Sequence, residues 1–207
     1  MSIAVVVAHP NDEVIGAGGT IAKYTKEGEE VNTIVLFKGE ESALLFKSQV
    51  LAEQKKEESK KATRILKDNI IFMDFSDDEL IENANEKQAK LKELLLTLKP
   101  EKIFTHCPED PNPSRRSIAK LIKSYDLTSE IYSFLLSNPF KLIHRNKPKL
   151  YVDISDTVIL KRRAINCLKS QWYSNGIGWY LYPLVFIRDK INGFKIKSQN
   201  AEVFYKL

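Results

Sequence analysis

The sequence predicts an α/β fold, a mostly parallel sheet with helices on both faces. Three observations carry this. Short β-branched runs alternate with longer helical patterns along the chain. A length of 207 residues, 43% of them hydrophobic, suffices for one substantial core and one domain, 1–207. The first apolar run, Ile3 to Ala8, empties into His9-Pro10-Asn11-Asp12-Glu13, the kind of loop that open α/β sheets carry at their carboxyl edge.

The elements follow in order. Strands are expected at Ile3 to Ala8, Val31 to Phe37, Asn69 to Met73, Lys102 to Thr105, Ile131 to Leu135 and Leu150 to Ile154. Helices are expected at Gly19 to Gly28, Gln49 to Leu66, Asn85 to Leu98, which Pro100 ends, and Ser114 to Ser124. After Ser170-Gln171 the texture changes: Trp172, Tyr173, Trp179, Tyr180, Tyr182 and Phe186 crowd a segment with Gly176, Gly178 and Pro183. Such a stretch reads as packing under a long loop, with an aromatic wall for a sugar ring or a subunit contact as the alternatives.

His9 and Asp12 are metal-ligand and acid–base residue types that can turn toward one point above the sheet edge. Read alone, His9-Pro10 is an ordinary capping histidine, and Asp12 and Glu13 simply suit the positive end of the next helix. The run Gly16-Ala17-Gly18-Gly19 lacks the spacing of a dinucleotide fingerprint.

Ala8-His9-Pro10-Asn11-Asp12-Glu13 resembles the signature of the PIG-L (LmbE-like) family, zinc-dependent deacetylases of N-acetylated sugars and glycolipids, which reads Ala-His-Pro-Asp-Asp-Glu. The resemblance implies a Rossmann-like architecture. It extends to Lys55-Lys56-Glu57-Glu58-Ser59-Lys60-Lys61-Ala62, to Tyr151-Val152-Asp153-Ile154-Ser155 with Lys161 and Ser170-Gln171, and to Ala201-Glu202-Val203-Phe204. It places His9 and Asp12 on two zinc-ligand positions and Asn11 on the position of the general-base Asp. Lys55 stands where Arg is usual, Leu168 where His is common.

The stretch Thr105 to Arg116, aligned on Asp110 and Arg116, departs further. Asn112 replaces a His thought to assist the transition state, Ser114 replaces an Asp, and Arg115 replaces the third ligand His. A guanidinium stays protonated and has no lone pair for a metal, and Asn11 cannot accept a proton. These changes predict loss of the family reaction by the family mechanism. Glu13, Lys55 and Asp110 remain as candidate substrate contacts, and Arg115 is expected to pair with Asp12 in the vacated metal position. The alternative is an active N-deacetylase or other hydrolase on a glycan or amino-sugar derivative. In it one of His106, Cys107 and Asp110 completes a rearranged zinc site.

No resident cofactor is therefore expected, or zinc if the site is rearranged. The expected ligand is an amino-sugar or nucleotide-sugar type small molecule, read by the loops after Gly39-Glu40, after Phe75 and around Asn138. A net charge of +5 comes mostly from lysines alternating with glutamates, the pattern of solvated helix faces. The one-sided Lys141 to Lys149 segment, with Lys161-Arg162-Arg163 beyond it, is either another solvated face or an attractor of anions. His144 in that segment reads as structural. No nucleic-acid motif, signal peptide or anchor is visible, and Cys107 and Cys167 form no patterned framework. The reading is a cytoplasmic protein without nucleic-acid or membrane partners, open to homo-oligomer formation.

Overall fold

The computed structural model describes residues 1–39, 48–76, 84–136, 148–170 and 178–207. Seven strands form one sheet: β1 (Ser2–Val7), β2 (Glu30–Phe37), β3 (Asn69–Phe75), β4 (Lys102–His106), β5 (Glu130–Phe134), β6 (Lys149–Asp153) and β7 (Ala201–Lys206). Their order is β3-β2-β1-β4-β5-β7-β6. The first five in that order run parallel, and β7 lies antiparallel to both β5 and β6. This is the α/β, Rossmann-like architecture expected.

The helices are α1 (Asp12–Lys26), α2 (Ser48–Leu66), α3 (Ala84–Leu98), α4 (Pro113–Ser124), α5 (Val158–Ile165) and α6 (Gly178–Lys195). Period-two alternation sends Ile3, Val5 and Val7 of β1 into a core with α1, α2, α5 and α6, and Ala4, Val6 and Ala8 into a second core with α3 and α4. A strand covered on both faces has no solvent side, which is why its sequence is apolar throughout. Among the described residues no helix is long and apolar enough to cross a membrane.

Four expectations need correction. Helix α1 starts at Asp12, not at Gly19, and runs through the glycine run. Those glycines are there for packing: a Cβ at Gly16 would lie 2.3 Å from the Phe134 ring, and one at Gly19 would lie 2.6 Å from Ile154 Cδ1. Beyond Ile154 the chain adds α5, α6 and the antiparallel β7, which the alternation pattern did not reveal. Tyr182 and Phe186 sit on a helix, not under a long loop, and Tyr182 is buried. Trp172, Tyr173, Glu40, Asn138 and His144 lie outside the described residues.

Lys161 is the sharpest correction, because it belongs to no basic surface. It is fully buried between Asp189 Oδ2 at 2.5 Å and Glu202 Oε1 at 2.7 Å. The Glu202 carboxylate also accepts the Gly19 N–H at 3.0 Å and the Thr20 N–H at 2.7 Å. Arg188 completes the balance, its Nη2 lying 3.2 Å from Asp189 Oδ1. Two cations and two carboxylates thus share an interior otherwise hostile to charge. They clamp α1, α5, α6 and β7 around the glycine run.

Candidate functional site

Strand β1 has β2 on one side and β4 on the other, so the chain order reverses between β1 and β4. At such a switch point the loops leaving two neighbouring strands part and open a crevice. The loop after β1 carries His9 to Asn11 and hands Asp12 to the start of α1; the loop after β4 carries Cys107 to Asn112. The two segments that departed from the signature therefore face each other.

Arg115 spans the gap. Its Nε donates to Asp12 Oδ2 at 3.1 Å and its Nη2 to Asp12 Oδ1 at 2.7 Å, a two-point pair of the kind guanidinium geometry favours. The expected ion pair is present. Burial works against the charge on Asp12, but the Arg115 guanidinium beside it outweighs burial and holds the carboxyl well below the usual carboxylate range.

Asn112 serves that pair indirectly. Its Oδ1 caps α4 by accepting the Arg115 N–H at 3.0 Å, with Pro113 in the first turn. Asp110 shapes the approach: it is buried, its Oδ1 accepts the Asn112 N–H at 3.0 Å, and its carbonyl accepts from Arg116 Nη1 at 2.9 Å. Asn112 and Asp110 thus set the loop and helix that present Arg115.

Asn11 is fully buried with φ 83°, a left-handed backbone that asparagine tolerates better than most residues. Its N–H donates to Ser59 Oγ at 2.9 Å, and the same hydroxyl lies 2.9 Å from both Asn11 Oδ1 and Glu13 Oε1. Asn11 Nδ2 points to Glu58 Oε2 at 3.5 Å. Burial pushes the Glu13 carboxyl up to about 8 despite the Ser59 contact. A neutral Glu13 can donate to Ser59, whose own proton is then left for Asn11 Oδ1. Glu13 stands in the layer behind the crevice, and so does Glu58, which accepts the Ser170 N–H at 2.8 Å and the Ser170 O–H at 2.6 Å. Lys55 is buried too, its Cδ 3.9 Å from where a Gly39 Cβ would stand, as His9 Cδ2 is at 3.8 Å.

His106, Cys107 and Asp110, the candidates for a shifted metal site, do not assemble one. His106 Nε2 lies 3.4 Å from Asp12 Oδ2 but takes the Ala8 N–H at 2.9 Å, which uses its lone pair. Burial lowers its pKa and favours the neutral ring. Burial and Glu109 push the Cys107 thiol up to about 12, far from a thiolate. Among the described residues no group of three or more His, Cys, Asp or Glu side chains is placed to hold a metal ion. As arranged, these residues do not fit a zinc ion: both Asp12 oxygens are taken by a cation, and His9 Nδ1, 3.7 Å from Asp12 Oδ2, is left as the remaining ligand.

Beside the loop, at the carboxyl ends of β2 and β3, lies a hollow of about 320 Å³ lined by Pro10, Phe37, Ala52, Lys56, Phe72 and Asp74, among others. Lys56 bonds Asp74 there at 2.7 Å and sits 4.8 Å above the Phe72 ring.

Residues 4–125 match the model of the PIG-L family, described as GlcNAc-PI de-N-acetylase. The chain belongs to the PIG-L family. A 1D-myo-inositol 2-acetamido-2-deoxy-alpha-D-glucopyranoside deacetylase of Tsukamurella paurometabola is 43% identical over 54 residues, 25% of this chain and 18% of that protein. A diacetylchitobiose deacetylase of Thermococcus kodakarensis is 28% identical over 184 residues, 79% of this chain and 67% of that protein. Two solved structures share the fold. The N,N'-diacetylchitobiose deacetylase of Pyrococcus horikoshii has TM-score 0.80 at 24% identity, covering 100% of this chain and 83% of its own. GalB, the 4-carboxy-2-hydroxymuconate hydratase of Pseudomonas putida, has TM-score 0.81 at 20% identity, covering 100% and 95%. A deacetylase and a hydratase on one fold mean that the reaction must be argued from the site.

The sequence patterns that carried the PIG-L resemblance now have a physical reading. Glu58 and Ser59 of α2, Ser170, Lys161 and Glu202 form the polar layer behind α1. The partners Asp189 and Arg188 escaped the sequence reading. Their signal was the charged triplet Arg188-Asp189-Lys190 set among the apolar residues from Val185 to Ile191.

Proposed function

We propose that this PIG-L protein holds an amino-sugar or nucleotide-sugar type small molecule without hydrolysing it by the family's zinc mechanism. One observation carries the reading: the Arg115 guanidinium occupies both oxygens of Asp12 at the switch point, where the resemblance puts a metal and its third ligand. A dication there would meet a fixed positive charge. Asn11, in the base position, cannot take a proton from water, and a positioned general base is worth roughly 10²- to 10⁴-fold in rate.

The ligand class has separate support. Phe37 and Phe72 give the adjoining hollow apolar walls of the kind that cover a pyranose face, while Lys56 and Asp74 offer polar partners. The Tsukamurella paurometabola and Thermococcus kodakarensis relatives are deacetylases of amino-sugar compounds. Titration of the protein with N-acetylglucosamine and glucosamine, alongside a free-amine assay, tests both halves. Saturable binding with no more than feeble turnover is expected; robust deacetylation abolished by Asp12→Ala would overturn the reading in favour of the active enzyme.

A further inference from the structure

Of the eight large apolar side chains exposed among the described residues, four fall between Ile187 and Ile196. Ile187, Ile191 and Phe194 are spaced i, i+4, i+7 and so form one stripe along α6, and Ile196 follows in the next turn. Phe194 is 86% exposed. The other side of the helix is buried through Tyr182, Val185, Asp189 and Asn192. A helix apolar on its outer as well as its inner face calls for a cover.

Charge says which cover. Lys190, Lys195 and Lys197 are exposed around the stripe, and the one acid between 187 and 197, Asp189, is fully buried with Lys161 and Arg188. Arg162 of α5 extends the positive rim, its guanidinium 5.1 Å from the Phe186 ring. We propose that this face of α6 lies on an anionic lipid surface, with Ile187, Ile191 and Phe194 in the acyl boundary and the lysines among the phosphates. A second copy of the chain fits less well, because a two-fold contact through the stripe would bring its lysines together. A side chain as prominent as Phe194 also suits a soft apolar layer better than a flat protein surface. The sequence-based expectation of no membrane partner rested on the lack of a spanning segment. Lying on a bilayer needs none.

Co-sedimentation of the full chain with vesicles tests this, using phosphatidylcholine alone and phosphatidylcholine mixed with phosphatidylserine. Binding to the mixed vesicles, weakened by salt, is expected. Ile191→Ser with Phe194→Ser should lower it at least about tenfold, since two apolar side chains lose their burial. Lys190→Glu with Lys195→Glu should erase the preference for the anionic vesicles. Unchanged melting temperatures would show that both variants fold. No binding by the parent, or equal binding by parent and Ser variant, would overturn the proposal. So would a dimer in sedimentation that Phe194→Ser dissociates, or saturable capture by an acidic protein with no lipid binding.

Discussion

Arg115 Nη2 lies 2.7 Å from Asp12 Oδ1, and this pair binds α4, the helix after β4, to the first residue of α1. Asp12 is nearly inaccessible while the guanidinium keeps one exposed side. Removing one partner strands a charge, whereas removing both strands none. Arg115→Met should therefore destabilise the fold by about 3 kcal/mol, and Arg115→Met with Asp12→Asn should recover most of that loss. Urea unfolding of the four proteins in the cycle measures it; additive losses would mean that the pair is not coupled.

The pH dependence of the same pair has a definite sign. Asp12 has a folded-state pKa well below its unfolded value. Its contribution is present above the unfolded pKa of about 4 and is lost as pH falls through the folded value. Arg115→Met should flatten that acid limb of the stability profile. An unchanged limb would assign it to other carboxylates.

Asp68 works in the opposite direction. Burial raises it from 3.8 to about 6, although Thr33 Oγ1 lies 2.5 Å from its Oδ2. Between those values the folded state holds a proton that the unfolded state has lost, so stability falls as pH rises through this window. Asp68→Asn should remove that slope, as unfolding curves at pH values on either side of the window would show. A slope retained in the variant would exclude Asp68 as its source.

Reversal toward the family pattern separates the two altered positions. In Asn11→Asp a carboxylate replaces the amide that faces Glu58 at 3.5 Å, so this change alone should cost on the order of 2 kcal/mol and bring little zinc affinity. Adding Arg115→His removes the blocking cation and restores a ligand type. The double variant should bind zinc well beyond the parent in competition with a chelating dye, and equal affinities would count against the alignment of Arg115 with the lost ligand.

The fold was legible where the physics is local. Alternating β-branched and helical runs located every parallel strand, and the polar loop after Ala8 marked the sheet edge at the switch point between β1 and β4. What stayed hidden depends on long-range contacts. The run Gly16 to Gly19 reads as a helix breaker or a phosphate loop until Phe134 and Ile154 are placed against it. Lys161 reads as surface charge until Asp189 and Glu202 surround it. Asn112 looked like a worn catalytic position, although Asn-Pro before a helical pattern is a capping signal that could have been read. The Arg115–Asp12 contact was legible because a buried carboxylate calls for a cation, and Arg115 stands where the resemblance puts a ligand of the same metal as Asp12.

Elemental analysis of the protein, purified without chelators and dialysed against zinc, tests the central claim most directly. A guanidinium in the metal's place predicts far less than stoichiometric zinc, unchanged by His9→Ala. Near-stoichiometric zinc that His9→Ala abolishes would contradict it, and would mean that Arg115 leaves Asp12 when the metal arrives.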